Sequence, residues 1–191
     1  MDERENMARR PQETPRGAGL RREIYDWAQC IVSALVVCIL IFAFAVRLIG
    51  VQGISMQPTL HNGDRLLISD LFYTPKQGDI VVLQTDSFSG EAIIKRVIAT
   101  EGQVVDIDFE TGVVYVDGEA LSEPYTAEPT YVQLDFSGPV EVPEGCVFVM
   151  GDNRNRSNDS RDARIGMIDT REILGRVLVR ILPLSQIGTV D

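Results

Sequence analysis

Residues 92–99 read Ala92-Ile93-Ile94-Lys95-Arg96-Val97-Ile98-Ala99, six apolar side chains around two adjacent cations. The run reads as a β-strand, in which successive side chains alternate between faces. Lys95 then shares a face with Ile93, Val97 and Ala99, and Arg96 shares the other with Ile94 and Ile98. Either cation can be an edge residue whose aliphatic stem covers apolar surface while its charge reaches water. Arginine stays protonated in proteins, whereas a lysine held against apolar neighbours loses hydration and its pKa falls from about 10.4. A neutral amine is a competent general base, so the strand offers Lys95 a chemical use that Arg96 lacks.

Outward from this strand, apolar alternation recurs at Ile80-Val82, Val104-Phe109, Val113-Val116, Cys146-Met150 and Val177-Leu182. Between the runs stand Pro75-Lys76-Gln77-Gly78, Glu110-Thr111-Gly112, Asp117-Gly118 and Pro143-Glu144-Gly145, residue types that tight turns require. No window beyond residue 50 sustains a 3.6-residue period over three turns. The body is therefore predicted to be mainly β and mainly antiparallel, with Leu121 to Pro139 as its longest irregular excursion.

Upstream, residues 30–46, CIVSALVVCILIFAFAV, carry no charge. With Trp27, Ala28 and Gln29 they form a stretch of 20 residues, enough for a hydrocarbon core of about 30 Å. Tyr25 and Trp27 fit an interfacial anchor, and a helix apolar all round between Arg22 and Arg47 suits a bilayer better than a protein core. Six arginines precede the span in residues 1–29, while only Arg47 and Arg65 lie in the 20 residues after Val46, which predicts the N-terminus inside. The expected organisation is a disordered cytoplasmic tail at 1–26, a transmembrane signal-anchor helix at 27–46 and an extracytoplasmic β domain at 47–191. A cleavable leader is the alternative, since Ala43-Phe44-Ala45 has the small-x-small pattern that precedes cleavage. The long, acid-containing segment before it argues for an anchor.

Composition removes whole classes of function. The 191 residues hold 18 Lys+Arg against 28 Asp+Glu, a formal charge of -10 that speaks against gripping nucleic acid through its phosphates. Cys30, Cys38, His61 and Cys146 are too scattered for a zinc site, so no metal and no cofactor are expected. With a single histidine, any hydrolytic chemistry rests on His61 or on a base that is not histidine.

Two further segments carry candidate chemistry. Gly53-Ile54-Ser55-Met56-Gln57-Pro58-Thr59-Leu60 places Ser55 on a bend shortly after the predicted membrane exit; a linker serine is the plainer reading. Gly151-Asp152-Asn153-Arg154-Asn155-Arg156-Ser157-Asn158-Asp159-Ser160-Arg161 follows an apolar strand and can form a side-chain network at its end, or simply a solvated loop.

Taken in order, these segments resemble the type I signal peptidases. The likeness rests on the serine segment as S-M-x-P-T, then Gly78-Asp79-Ile80-Val81-Val82-Leu83, then Lys95-Arg96-Val97-Ile98-Ala99, then G-D-N-R-x-x-S-x-D-S-R, and it runs from the membrane span to about residue 182. The single span with a short tail is similar to the Gram-positive members. The resemblance implies an antiparallel β-sheet serine protease domain of the signal-peptidase type behind one N-terminal transmembrane helix. It implies a membrane-bound serine endopeptidase, active in protein secretion, that removes N-terminal signal peptides after small residues of the A-x-A type.

In that comparison Ser55 is the nucleophile and Lys95 the general base. Ser157 matches the serine that orients the lysine, and Asp152, Asp159 and Arg161 match residues that hold the loop in shape. The oxyanion donors would be the Ser55 N–H and a group at Gly53, where some members carry a serine; Ile54 and Met56 are candidate pocket walls. Lysine at position 95 separates the chain from the endoplasmic-reticulum type, and His61 reads as a surface residue. The implied partners are exported preproteins, the lipid bilayer and a nearby secretion translocon. Two alternatives stay open: a specialised relative cutting pilin-like or spore-coat precursors, and a catalytically silent β domain that binds exported chains.

Overall fold

The computed structural model describes residues 16–84 and 91–190. The chain divides into two compact units at Ala43 and Phe44. Helix α1, Arg16–Ala45, makes up the described part of the first. Its Arg22–Leu40 stretch is long and apolar enough to cross a membrane, and every residue in it is exposed. Nineteen residues at 1.5 Å each cover about 28 Å, close to a hydrocarbon core.

The helix already includes Arg16, the first described residue, upstream of the expected boundary near Trp27. Arg, Ala, Leu and Glu between 16 and 26 have good helix propensity and extend a helix already nucleated by the apolar run. The described part of the expected tail, from Arg16, is thus helical, and residues 1–15 lie outside the described residues.

The second unit is antiparallel β in every described pairing, as the alternation predicted. Its strands are β1 (Arg47–Gly50), β2 (Arg65–Ser69), β3 (Ile80–Gln84), β4 (Ala92–Thr100), β5 (Val104–Asp108), β6 (Val113–Val116), β7 (Glu119–Ala120), β8 (Val140–Glu141), β9 (Cys146–Met150), β10 (Ile168–Asp169) and β11 (Ile173–Leu182). Seven of them form one sheet in the order β1-β2-β11-β3-β4-β9-β10, and four form a second in the order β7-β6-β5-β8. The irregular excursion at 121–139 is free of strand, as expected.

β4 lies between β3 and β9, where both its faces meet apolar layers. Ile94 joins Met56, Leu60, Leu66, Ile68 and Val82 in one cluster, while Ile93 and Val97 pack with Val81, Leu83, Val147 and Val149 in another. The pairing with β9 shifts register between Val97 and Ala99, so Ile98 and Ala99 both enter a third cluster around Phe136 and Phe148. The face predicted for Lys95 therefore ends at Val97. Lys95 and Arg96 fall in the middle of this strand, 4% and 2% exposed.

Candidate active site

Ser55 sits in a closed bend between β1 and β2. Val51 N–H donates to the Asp64 carbonyl at 2.9 Å, Gly63 N–H returns to Val51 at 2.9 Å, and Leu60 N–H reaches the Met56 carbonyl at 2.8 Å. Met56 and Leu60 bury their side chains in the core beside Ile94 and anchor the bend. Between those anchors Ser55 is half-buried, with its hydroxyl on β4: Lys95 Nζ donates to Ser55 Oγ at 2.9 Å.

Burial is the main cause that lowers the Lys95 pKa to about 8, reinforced by the Arg161 charge and opposed by Asp159 and Asp152. Both carboxylates are taken up by arginines. Asp152 accepts from Arg96 Nε at 2.9 Å and Nη2 at 2.8 Å, and Asp159 from Arg161 Nε at 2.8 Å and Nη2 at 2.9 Å. Neither is free to hold the lysine in its charged form as a direct partner would.

The 151–161 loop fixes the bend from the other side. Asn153 N–H donates to the Ser55 carbonyl at 2.9 Å, Asn153 Nδ2 to the Ile54 carbonyl at 3.0 Å, and Thr59 Oγ1 to Asp152 Oδ2 at 2.5 Å. Gly151 permits the approach: a Cβ there would collide with Ser157 Oγ and with the Ser55 carbonyl oxygen. Asp159 also accepts from Gly151 N–H at 3.0 Å, and Arg161 donates to the carbonyls of Val132 and Arg154, both at 2.6 Å. Arg154 Nη1 donates to Glu123 Oε2 at 2.8 Å, with Nη2 2.7 Å from Oε1 as an ion-pair contact off the hydrogen-bonding direction. The loop read from sequence as potentially solvated is largely buried.

Several expected placements differ. Ser157 and the Ser55 carbonyl both border the space beside Gly151, but the Ser157 hydroxyl donates to the Asn158 carbonyl at 3.5 Å; among the described residues Lys95 takes Ser55 as its hydrogen-bond partner. Gly53, at φ +88, is in the left-handed region, and its N–H is already committed to Asn62 Oδ1 at 3.1 Å. The Ser55 N–H has no hydrogen-bond partner among the described residues, which leaves it open to an acceptor placed beside Ser55 Oγ. Ile54 is 44% exposed and lies outside the cleft wall, because the bend turns it to solvent; Met56 is core with one side on the cleft. His61 is exposed, with its backbone N–H on Asp64.

Ser55 and Lys95 open into a cleft of about 430 Å³ walled chiefly by Leu48, Ile49, Val51, Ile93 and Ile94, with Gln52 and Glu91 as polar members. A cleft of about 600 Å³ lies elsewhere, lined by Asp79, Arg96, Tyr125 and Arg176; it contains neither Ser55 nor Lys95.

A hydroxyl beside a desolvated amine, an open N–H and an apolar groove are groups that could carry out nucleophilic attack on an acyl carbon. The sequence matches the family described as signal peptidase, peptidase S26, over residues 24–182. The chain belongs to that family.

A signal peptidase I of Bacillus licheniformis is 38% identical over 182 residues, covering 90% of this chain and 95% of that protein. The Synechocystis sp. protein named "Probable signal peptidase I-1" is 41% identical over 168 residues, with 83% and 82% covered. The crystal structure of an Enterococcus faecalis signal peptidase I is 30% identical and matches with a TM-score of 0.46, over 55% of this chain and 97% of that one. The matched relatives thus include a Synechocystis protein beside Bacillus and Enterococcus ones. Membership makes the chain a serine peptidase of the signal peptidase kind, and its matched region begins inside α1 and ends with β11.

Proposed function

We propose that this chain is a membrane-anchored serine endopeptidase that removes signal peptides from exported preproteins, cutting after small residues of the Ala-x-Ala type. Ser55 is the nucleophile and Lys95 the general base. The observation that carries the reading is the 2.9 Å contact between Lys95 Nζ and Ser55 Oγ, made by a lysine whose burial lowers its pKa to about 8. A sizeable fraction of such an amine is neutral near pH 7–8, without help from a histidine.

In the neutral state Ser55 O–H donates to Lys95 Nζ. As Oγ attacks the scissile carbonyl the proton passes to Nζ, and the developing oxyanion takes the Ser55 N–H. The ammonium then protonates the departing amine, which becomes the new N-terminus of the exported protein, and leaves an ester on Ser55. Lys95, neutral again, draws a proton from water; hydroxide attack on the ester releases the signal peptide with a free carboxylate and returns the hydrogen to Oγ. Asp152, Asp159, Arg161 and Ser157 act by holding the 151–161 loop against the Ser55 bend.

The anchor is α1, with the N-terminus cytoplasmic and residues 47–191 outside, next to the translocon. An anchored site and an anchored substrate share one membrane, which raises their effective concentration. An extended preprotein segment lies along the strands of the cleft, with alternate side chains meeting its apolar walls. The test is cleavage of a preprotein by the full chain in detergent. The wild type should cut after the small residue, Ser55→Ala and Lys95→Ala should fall by at least about 1,000-fold, and a wild-type rate in both variants would refute the dyad.

A further inference from the structure

The cleft beside Ser55 has two charged groups among its described lining residues, Lys95 and Glu91. They do not act at the same time. In the working form of the proposed dyad Lys95 is neutral, and the charge left in the groove is then the carboxylate of Glu91. Leu48, Ile49, Val51, Ala92, Ile93 and Ile94 supply apolar lining, so among the described lining residues no other charge offsets it. Glu91 is exposed at the mouth of β4 and makes no ion pair among the described residues.

Its distance along the substrate follows from strand geometry. Glu91 precedes Lys95 by four positions, and a strand rises about 3.3 Å per residue, which puts Glu91 roughly 13 Å from the base along β4. A peptide extended beside β4 has the same rise, so its residue about four positions from the scissile bond comes opposite Glu91. β4 can receive such a peptide: β9 covers it from Arg96 onward, whereas Ala92–Lys95 pairs with β3 alone among the described strands. The apolar groove suits the small residues before the cut, which fixes the side on which Glu91 lies.

We propose that Glu91 is a specificity-determining residue that favours a basic side chain, and disfavours an acidic one, at about the fourth substrate position before the cut. This rests on the peptidase reading given above. The preference is electrostatic selection across an otherwise apolar groove, and it has the same sign as the acidic excess of the body, 12 basic against 22 acidic residues after position 29.

The experiment uses the full chain in uncharged detergent and Ala-x-Ala peptides that differ only at the fourth position before the cut: Lys, Gln or Glu. Wild-type kcat/KM should fall in that order, with Lys over Glu by about tenfold at low salt and less at high salt. Glu91→Gln should bring the ratio within about twofold and Glu91→Lys should invert it, each ratio being taken against the Gln peptide cut by the same protein. Equal rates for Lys and Glu in the wild type would overturn the proposal, as would a ratio that survives Glu91→Gln or a charge preference confined to positions after the cut. Failure of the wild type to cut even the Gln peptide would overturn the peptidase reading, and the charge preference with it.

Discussion

Lys95 and Arg96 are neighbours on β4 and equally buried, yet their surroundings could hardly differ more. Arg96 meets a bidentate carboxylate in Asp152, the Gly78 carbonyl at 2.8 Å and the ring of Tyr125, whose centroid lies 3.9 Å from its guanidinium carbon. Those partners replace water and keep the charge. Lys95 meets a hydroxyl and an apolar cleft, and burial pushes its proton off. Burial alone does not decide what a cation does; the partners supplied to it do. One side of the strand is built to hold a charge still and the other to let a proton leave.

The sharpest way to break this contrast is to give the Lys95 side the chemistry of its neighbour. Lys95→Arg keeps a cation but removes the proposed base, and kcat/KM for a preprotein should fall by about 1,000- to 10,000-fold. In the wild type, kcat/KM should climb tenfold per pH unit and level off above about 8, the lowered Lys95 value. A profile flat from acid to alkaline pH would remove the lysine from the mechanism.

Breaking the other side comes next. Asp152→Asn strands Arg96 without its counter-ion, and thermal or denaturant unfolding should register a loss of about 3–5 kcal/mol. Because Asp152 raises the Lys95 pKa, the inflection of the pH profile should also move down.

A third test separates stability from chemistry. The folded Lys95 pKa of about 8 lies below its ordinary 10.5, so the folded chain binds fewer protons than the unfolded one between these values. The burden on stability is full below pH 8 and fades by pH 10.5. Lys95→Met should therefore stabilise the inactive protein by up to about 3 kcal/mol at pH 7, since each tenfold loss of proton affinity is worth about 1.4 kcal/mol, and by little at pH 10.5. Unfolding curves at the two pH values measure the difference; a gain that does not shrink would mean that packing, not charge, is responsible.

The smallest effect concerns the tie between the regions. Thr59→Val removes the hydroxyl that joins the Ser55 bend to Asp152 and should lower stability by about 1–2 kcal/mol and kcat severalfold, with Thr59→Ser restoring both.

Much of this was legible beforehand. Alternation marked β3 to β6, β9 and most of β11, and the S-M-x-P-T and K-R-V-I-A segments marked Ser55 and Lys95. β1 and β2 escaped because each is short and gains its identity from neighbours: β2 is a strand by pairing with β1 and β11, more than 100 residues away in the latter case. Thr59, Gly151 and Asn153 escaped as working residues for a similar reason, since Asn153 meets Ile54 and Thr59 meets Asp152 across more than 90 positions. No local pattern encodes such a contact.

Residue types and local periodicity determined which groups could react, which stretches would be strands and which helix could enter a bilayer, because those properties belong to side chains and their nearest neighbours. The tertiary structure alone decided that Lys95 lies 2.9 Å from Ser55, that Asp152 and Asp159 are already occupied by Arg96 and Arg161, that Gly53 is bound to Asn62 while the Ser55 N–H is open, and that Glu91 stands in the cleft. Distance, desolvation and the competition for partners are properties of chain segments brought together, and they lower the Lys95 pKa to about 8, as the proposed base requires.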